Sequence, residues 1–433
     1  MNYIGIDIGT SSISSVIYNL SSGKAESFTL PNNTAITTSS SWKKQQDPEM
    51  IMDMVENILS VFFNKYPDIK GIGVTGQMHG VLYVDKQGDA VSPLYTWQDG
   101  SGNQLYKDGS TYAEYLSKTT GYDLATGYGL VTHFYNKENE LVPCEAVNIC
   151  TIMDYVVMKL TGRNTPVTDH SNGASLGFFD VEKFDFDRKT LAIAGIDESI
   201  LPVLSVAGDC CGYYRNTPVY PAIGDNQAAF IGSVTDKHRS IHITIGTSSQ
   251  ISVFSEKYIS LQGLDTRPFP GGGYLIVGAS LCGGQAFAVL KDFFCRTLKI
   301  FSVEDADVYN CMISVPYKDK TQDIPIVKTT FDGTRSAPYE RGLINNISID
   351  NFTPENVIIG FLKGICGELY SFYRDIPESI KDTKSSITGS GNALKKNTLL
   401  CEALKEQFNL GLDISDCREE AAFGACLMSI VRS

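Results

Sequence analysis

Two stretches of this chain are near copies of one another, and a repeated unit limits the fold more than any single residue does. Ile4-Gly5-Ile6-Asp7-Ile8-Gly9-Thr10-Ser11-Ser12 returns as Ile241-His242-Ile243-Thr244-Ile245-Gly246-Thr247-Ser248-Ser249. Each copy alternates apolar residues at period two, breaks at a glycine and ends in small hydroxylated residues. That is the pattern of a strand running into a tight turn whose amides face outward. The likeness continues past the turn, where Ser15, Val16 and Ile17 are answered by Ser252, Val253 and Phe254. A whole strand-turn-strand unit is repeated, which predicts two similar halves with a cleft between them, expected as domains 1–234 and 235–433.

The length fits this division, because 433 residues are too many for one core and suit two or three domains. With 42% hydrophobic and 20% charged residues, the composition is that of a globular protein. No apolar run approaches the roughly 20 residues that a membrane helix needs. The N-terminus enters its first strand at Tyr3 and carries an acid at Asp7, unlike a signal peptide, so a cytosolic location is expected. Eleven cysteines without a C-x-x-C pair are expected to be reduced and packed. A net charge of -13 argues against nucleic acid as a partner but is compatible with one nucleotide brought in with a metal ion.

Along the chain, Asp47 and Pro48 read as the cap and first position of a helix with Ile51, Val55, Ile58, Leu59 and Phe62 at helical spacing. A strand is expected at 69–75, a helix over 147–160, a short strand at 218–223 and a helix over 226–234. The second half repeats the plan, with strands at 240–245, 250–254 and 274–277 and a helix over 284–298. Further helices are expected over 354–373, 392–408 and 418–431, with a strand at 385–388. Residues 265–273, with two prolines and three consecutive glycines, read as a loop. Strand, hairpin, helix and strand in alternation indicate a layered α/β protein.

The glycine turns suit phosphate, since exposed backbone N–H groups bind anionic oxygens without a competing charge. Thr10, Ser11 and Ser12, with Thr247 and Ser248, add hydroxyls. Asp7 occupies the place that Thr244 takes in the second copy, and one carboxylate beside phosphates suits Mg²⁺. A third glycine turn, Gly389-Ser390-Gly391-Asn392, follows a strand and opens a helix; it suits a nucleotide's adenosine side or serves as a plain capped turn. The P-loop signature and the H-R-D loop of protein kinases are both absent.

Gly76-Gln77-Met78-His79-Gly80 stands at the carboxyl end of a strand, where open α/β sheets present ligands. Trp97-Gln98-Asp99 joins an aromatic face to polar ends, as sugar sites do. Gly224-Asp225-Asn226-Gln227 lies at another strand end, where Asp225 suits either a helix N-cap or a base that takes a proton from a hydroxyl attacking phosphorus.

Taken together, these residues resemble the FGGY carbohydrate kinases of the actin, Hsp70 and hexokinase superfamily. Residues 7–11 resemble the family's first phosphate motif, 245–248 its second and 389–392 its adenosine motif, while Asp225 falls where the family keeps its catalytic base. The Met-His-Gly at 78–80 resembles the xylulose- and sedoheptulose-phosphorylating branches. Residues 96–100, 125–129, 154–157 and 172–175 look more like the sedoheptulose branch. That branch carries an arginine where this chain has Ser101, and Asn226 looks more like the xylulose branch.

The resemblance implies two ribonuclease-H-like domains with mixed five-stranded sheets flanked by helices, and an ATP- and Mg²⁺-dependent sugar kinase that acts on a ketose. It implies Asp225 as base and Asp7 at the metal. Gln77, Met78, His79, Trp97, Asp99, Asn226 and Gln227 are implied at the sugar. Gly9, Thr10, Ser11, Ser12, Gly246, Thr247, Ser248, Gly389, Ser390, Gly391 and Asn392 are implied at the nucleotide. The partners are then ATP and a small sugar, without nucleic acid or membrane, and a homodimer is admitted. An actin-like or Hsp70-like nucleotide switch would need the same turns but has no evident use for Gln77, Met78, His79 and Trp97.

Overall fold

A computed structural model describes residues 1–205, 209–303, 306–317, 323–334, 337 and 339–432. The chain forms two compact units. The first comprises Met1–Gly232, Arg267–Gly273 and Cys417–Ser433, and the second Ser233–Thr266 and Tyr274–Asp416.

In the first unit the repeated hairpin is β1 (Asn2–Ile8) and β2 (Ser12–Asn19), extended by β3 (Lys24–Pro31). Strand β4 (Ile69–Gly76) runs parallel to β1 on its other side. Beyond β4 come β5 (Gly212–Tyr214), β6 (Thr217–Val219) and β7 (Ile223–Gly224), giving the order β5-β6-β4-β1-β2-β3 with β7 also paired to β4. The strand expected at 218–223 is thus two short ones.

The second unit repeats the plan with β8 (Ser240–Ile245), β9 (Ser249–Ser255), β10 (Asp265–Pro268), β11 (Tyr274–Ser280), β12 (Ser386–Ser390) and β13 (Gly411–Ile414). Its order is β10-β11-β9-β8-β12-β13. Both sheets contain the expected five positions, with the hairpin in the middle and parallel strands added on one side. Each is larger than five strands, however: the sheets have seven and six, because β5 and β10 add edges and both β6 and β7 pair with β4. Strand β10 lies where the glycines and prolines suggested only a loop.

Helix α1 (Pro48–Lys65) begins as its sequence dictates, with Asp47 accepting from the amides of Glu49 and Met50, and it buries Ile51, Val55, Ile58, Leu59 and Phe62. Each such aliphatic side chain contributes roughly 1.5–3 kcal/mol on leaving water. The helix expected over 147–160 is instead a strand at Asn148–Cys150 followed by α2 (Ile152–Thr161), because Thr151 and Asp154 form a capping box that starts the helix late. Next come α3 (Asp225–Ser233), α4 (Gly284–Ile300) and α5 (Pro354–Arg374). The helix expected over 392–408 breaks at Asn397, whose side chain accepts from Leu400 N, leaving α6 (Asn392–Lys396) and α7 (Thr398–Phe408).

The last helix, α8 (Glu420–Arg432), belongs to the first unit and not, as contiguous halves would require, to the second. It lies directly on β1 and β4. A Cβ on Gly5 would sit 1.8 Å from the Ala422 carbonyl oxygen, and one on Gly73 would sit 1.9 Å from that of Ala425. Only glycine permits that approach. Among the described residues no disulfide joins the cysteines, and no helix is long and apolar enough to cross a membrane.

Candidate active site

The first glycine turn is tied into its surroundings by side chains. Thr10 Oγ1 accepts from Trp97 Nε1 at 2.9 Å and donates to Gln77 Oε1 at 3.1 Å. Gln77 Nε2 donates to Gln46 Oε1 at 2.8 Å, and Gln46 Nε2 returns to the Thr10 carbonyl at 2.9 Å. The loop closes on itself, so the turn and the segment after β4 hold one geometry. Asn32 Nδ2 bonds the Gly9 carbonyl at 2.8 Å, while Ser11 stands exposed at the tip and Ser12 already belongs to β2. Asp7, near the end of β1, has its carboxyl pushed up to about 7, first by burial and then by the charges of Asp225 and Glu419.

Asp225 opens α3 at the end of β7. Thr75 Oγ1 donates to the Ile223 carbonyl at 2.8 Å, and Gly224 N donates to Ser171 Oγ at 3.2 Å. Ser171 Oγ in turn donates to Asp169 Oδ1 at 2.6 Å. The other Asp169 oxygen meets Arg432 Nη2 at 2.8 Å in an ion pair with side chains 6% and 5% exposed, and Arg432 Nη1 reaches the Pro221 carbonyl at 3.3 Å. A chain of buried polar contacts from the last helix thereby fixes the backbone immediately before Asp225. Burial raises the Asp225 carboxyl above its ordinary range, while Arg267 and the Asn226 side chain, whose Nδ2 donates to Asp225 Oδ1 at 2.7 Å, act in the opposite direction.

The second turn is built differently. Thr244, in Asp7's place, shares its hydroxyl with Ser390 Oγ at 2.8 Å, and His242 Nε2 lies 3.0 Å from the same oxygen. Backbone bonds from Gly283 and Gln285 to the Thr247 carbonyl and from Gly284 to the Gly246 carbonyl set the turn against the start of α4. Thr247 and Ser248 are exposed. A Cβ on Gly246 would meet nothing within 4 Å, whereas one on Gly9 would lie 2.8 Å from the Ser12 carbonyl oxygen. The second turn thus has open space at its glycine.

A family model described as the FGGY family of carbohydrate kinases, N-terminal domain, matches residues 2–240. The chain belongs to the FGGY family of carbohydrate kinases. It is 27% identical to a sedoheptulokinase of Mus musculus over 481 residues, covering 99% of this chain and 97% of that protein. A sedoheptulokinase of Homo sapiens is 25% identical with the same coverage of both chains. Among solved structures, xylulose kinase from Rhodospirillum rubrum superposes with a TM-score of 0.83 at 18% identity, covering 100% of this chain and 90% of that one. The fold is the two-domain, actin-like arrangement of these sugar kinases, and the protein is a sugar phosphotransferase.

In this FGGY kinase, His79 takes a left-handed backbone with φ 72°. Its Nδ1 lies 2.9 Å from the Ser175 carbonyl, which can only accept, so Nδ1 carries a proton. Its ring packs edge-on to Tyr128 at 4.6 Å. Met78 is buried, with its sulfur 3.9 Å from Asn226 Nδ2. Trp97 is 47% exposed, and its indole nitrogen holds Thr10. Asp99 and Gln227 also make contacts within the fold. Both Asp99 oxygens accept backbone amides, from Ser101 at 3.0 Å and Lys44 at 3.1 Å, and the buried Gln227 donates to the Pro268 carbonyl at 2.9 Å.

In the third turn, the Ser390 hydroxyl points back into its sheet, Gly389 faces the Leu412 and Ile414 side chains, and Gly391 leads to Asn392 at the start of α6. Gln46, Ser175 and Arg267 are neighbours of the expected site residues that spacing does not reveal. Each arrives from a distant segment, and only the neighbourhood of Ser175, in the 172–175 segment, carried a signal.

Proposed function

We propose that this kinase transfers the γ-phosphoryl group of ATP to the terminal primary hydroxyl of a ketose, with sedoheptulose as the preferred acceptor and sedoheptulose 7-phosphate as product. The observation that carries the reading is Asp225, a carboxylate at a strand end whose backbone is fixed through Gly224, Ser171, Asp169 and Arg432. Similarity to sedoheptulokinases along nearly the whole chain supports the choice of sugar. In this reading His79, Trp97 and Met78 line the acceptor side, and Asn226 aims the base.

In this reading phosphate oxygens lie in the open space at Gly246, beside the exposed hydroxyls of Thr247 and Ser248. At the first turn the Ser11 tip offers the same groups, while the Thr10 hydroxyl is committed to Gln77. Asp7 would hold Mg²⁺, which supplies charge neutralisation across the phosphates. Its raised carboxyl, crowded by Asp225 and Glu419, suits a cation, and Mg²⁺ needs only one or two carboxylates beside phosphate and water. In the reaction the sugar hydroxyl attacks the γ-phosphorus, its proton passes to Asp225, and the bond to the bridging oxygen breaks to release ADP.

The test is ADP release with Mg-ATP and sedoheptulose, D-xylulose, D-ribulose, D-fructose or glycerol, beside a blank without sugar. Preference for sedoheptulose and a slow blank are expected. Asp225→Asn should lower turnover by about 10² to 10⁴ while sugar binding persists. Preference for D-xylulose would reassign the sugar and make Asn226 its marker, and rapid hydrolysis without sugar would favour a nucleotide switch.

A further inference from the structure

One short turn of the first unit holds both the loop expected at the sugar and the strand end that leads into Asp225. It comprises Asp169, the helical turn His170–Gly173 and the turn Ala174–Leu176. On one side, Ser171 Oγ accepts from Gly224 N at 3.2 Å, immediately before Asp225. On the other, Ser175 takes two bonds from His79. Its Oγ accepts from the His79 amide at 3.1 Å, and its carbonyl accepts from Nδ1 at 2.9 Å. The two serines are buried, with exposures of 1% and 3%.

His79 has φ 72°, a left-handed conformation that a residue other than glycine keeps only where its surroundings impose it. Ser175 meets that residue at both its backbone amide and its ring, and Gly80 N closes the same loop onto the Met78 carbonyl at 2.9 Å. The turn itself has little freedom. Ser171 Oγ donates to Asp169 Oδ1 at 2.6 Å, and the other Asp169 oxygen is paired with Arg432. Asn172 Nδ2 donates to Asp154 Oδ1 and to Thr151 Oγ1, both at 2.9 Å, and all three residues are buried. Anchored from α8 and from the start of α2, the turn is a rigid spacer with one serine on each side of the site.

We propose that Ser171 and Ser175 are positioning residues that fix the span between the acceptor loop at His79 and the base at Asp225, and so select the length of ketose that is phosphorylated. This rests on the ketose-kinase reading with Asp225 as the base. A ketose held at His79 reacts only when its terminal hydroxyl reaches Asp225, and for a fixed span that reach depends on the length of the sugar. Misplacing the reacting atoms by about 1 Å costs about a hundredfold in rate, so a longer and a shorter ketose are separated by the span alone. Neither serine exchanges a proton with the sugar; each acts through the residue it holds. Loosening the Ser175 side acts mainly on sugar KM, and loosening the Ser171 side acts mainly on kcat.

The experiment measures kcat and KM for sedoheptulose and D-xylulose with Mg-ATP, using the full chain as wild type, Ser171→Ala, Ser175→Ala, both together, Ser171→Thr, Ile58→Val and Asp225→Asn. Ile58→Val, a change in the buried face of α1, shows what lost stability alone does to the two sugars. Ser175→Ala is expected to raise KM for the preferred sugar by about tenfold with KM for ATP within about threefold, and Ser171→Ala to lower kcat by about tenfold. Each single variant should narrow the ratio of kcat/KM between the sugars, the double variant by about tenfold or more, and Ser171→Thr, which keeps the hydroxyl, should hold the wild-type ratio. A ratio within about threefold of wild type in both single variants, or an equal narrowing in Ile58→Val, overturns the inference. A wild type that uses both sugars alike overturns it too, while the ketose-kinase reading stands. A wild type inactive on both sugars, or an active Asp225→Asn, overturns that reading and this inference with it.

Discussion

The two glycine turns begin as one sequence and end as different devices. The first is locked by hydrogen bonds among Thr10, Trp97, Gln77 and Gln46, and it carries a carboxylate at Asp7. In the second, Thr244 takes the carboxylate's place and bonds inward to Ser390, leaving exposed hydroxyls and an open space at Gly246. Duplication supplied the same strand-turn-strand frame twice. Divergence at one strand position and in the side chains around the turn then separated a wired, charge-bearing turn from an open, neutral one.

The units also differ in how they are anchored, and here the largest effect is expected. Asp169→Asn leaves the buried Arg432 without its counter-charge and should cost about 3–5 kcal/mol in a denaturant titration. Glu406→Gln, which breaks a pair with Lys363 in the second unit that is more exposed than Asp169–Arg432, should cost less than about 1 kcal/mol. Equal losses would break the contrast.

Next in size is the charge asymmetry of the turns. Asp7→Asn should lower turnover by about a hundredfold, whereas Thr244→Ala should stay within about threefold in the same ADP-release assay. Smaller again is the glycine comparison. Gly246→Ala should raise the KM for ATP by about tenfold without moving the melting temperature, because the methyl group fills ligand space. Gly9→Ala should destabilise by roughly 1–3 kcal/mol, because the methyl group meets the Ser12 carbonyl.

The smallest effect is a pH slope. Burial holds His242 near 4 against an ordinary 6.5, so between those values the unfolded chain binds more protons and stability falls as pH falls. His242→Gln should flatten that part of the slope, read as the shift in denaturation midpoint between about pH 7 and about pH 5.

Much of this was legible in the sequence, for local reasons. The hairpins announce themselves by alternation and the Asp47-Pro48 helix start by its cap, and Asp225 stands out at a strand end. What escaped depends on partners far along the chain. Residues 265–268 form a strand and residues 267–273 join the first unit because of Gln227 and Phe230, which no local pattern connects to them. Asp99 and Gln227, expected at the sugar, also hold backbone that no local pattern connects to them, through the amides of Lys44 and Ser101 and the Pro268 carbonyl. The membership of α8 depends on the absence of side chains at Gly5 and Gly73, a signal that hydrophobic periodicity does not carry.

That last feature has a consequence for how the protein is made. The second unit is an insertion within the first, since α8 returns to cover β1 and β4 after residue 416 has been passed. During synthesis the earliest strands leave the ribosome without the helix that seals them and wait while the whole second unit is translated. A premature stop within the last few dozen codons would therefore damage the beginning of the protein more than its middle. A separately supplied peptide of residues 417–432 would be the piece to complement such a fragment.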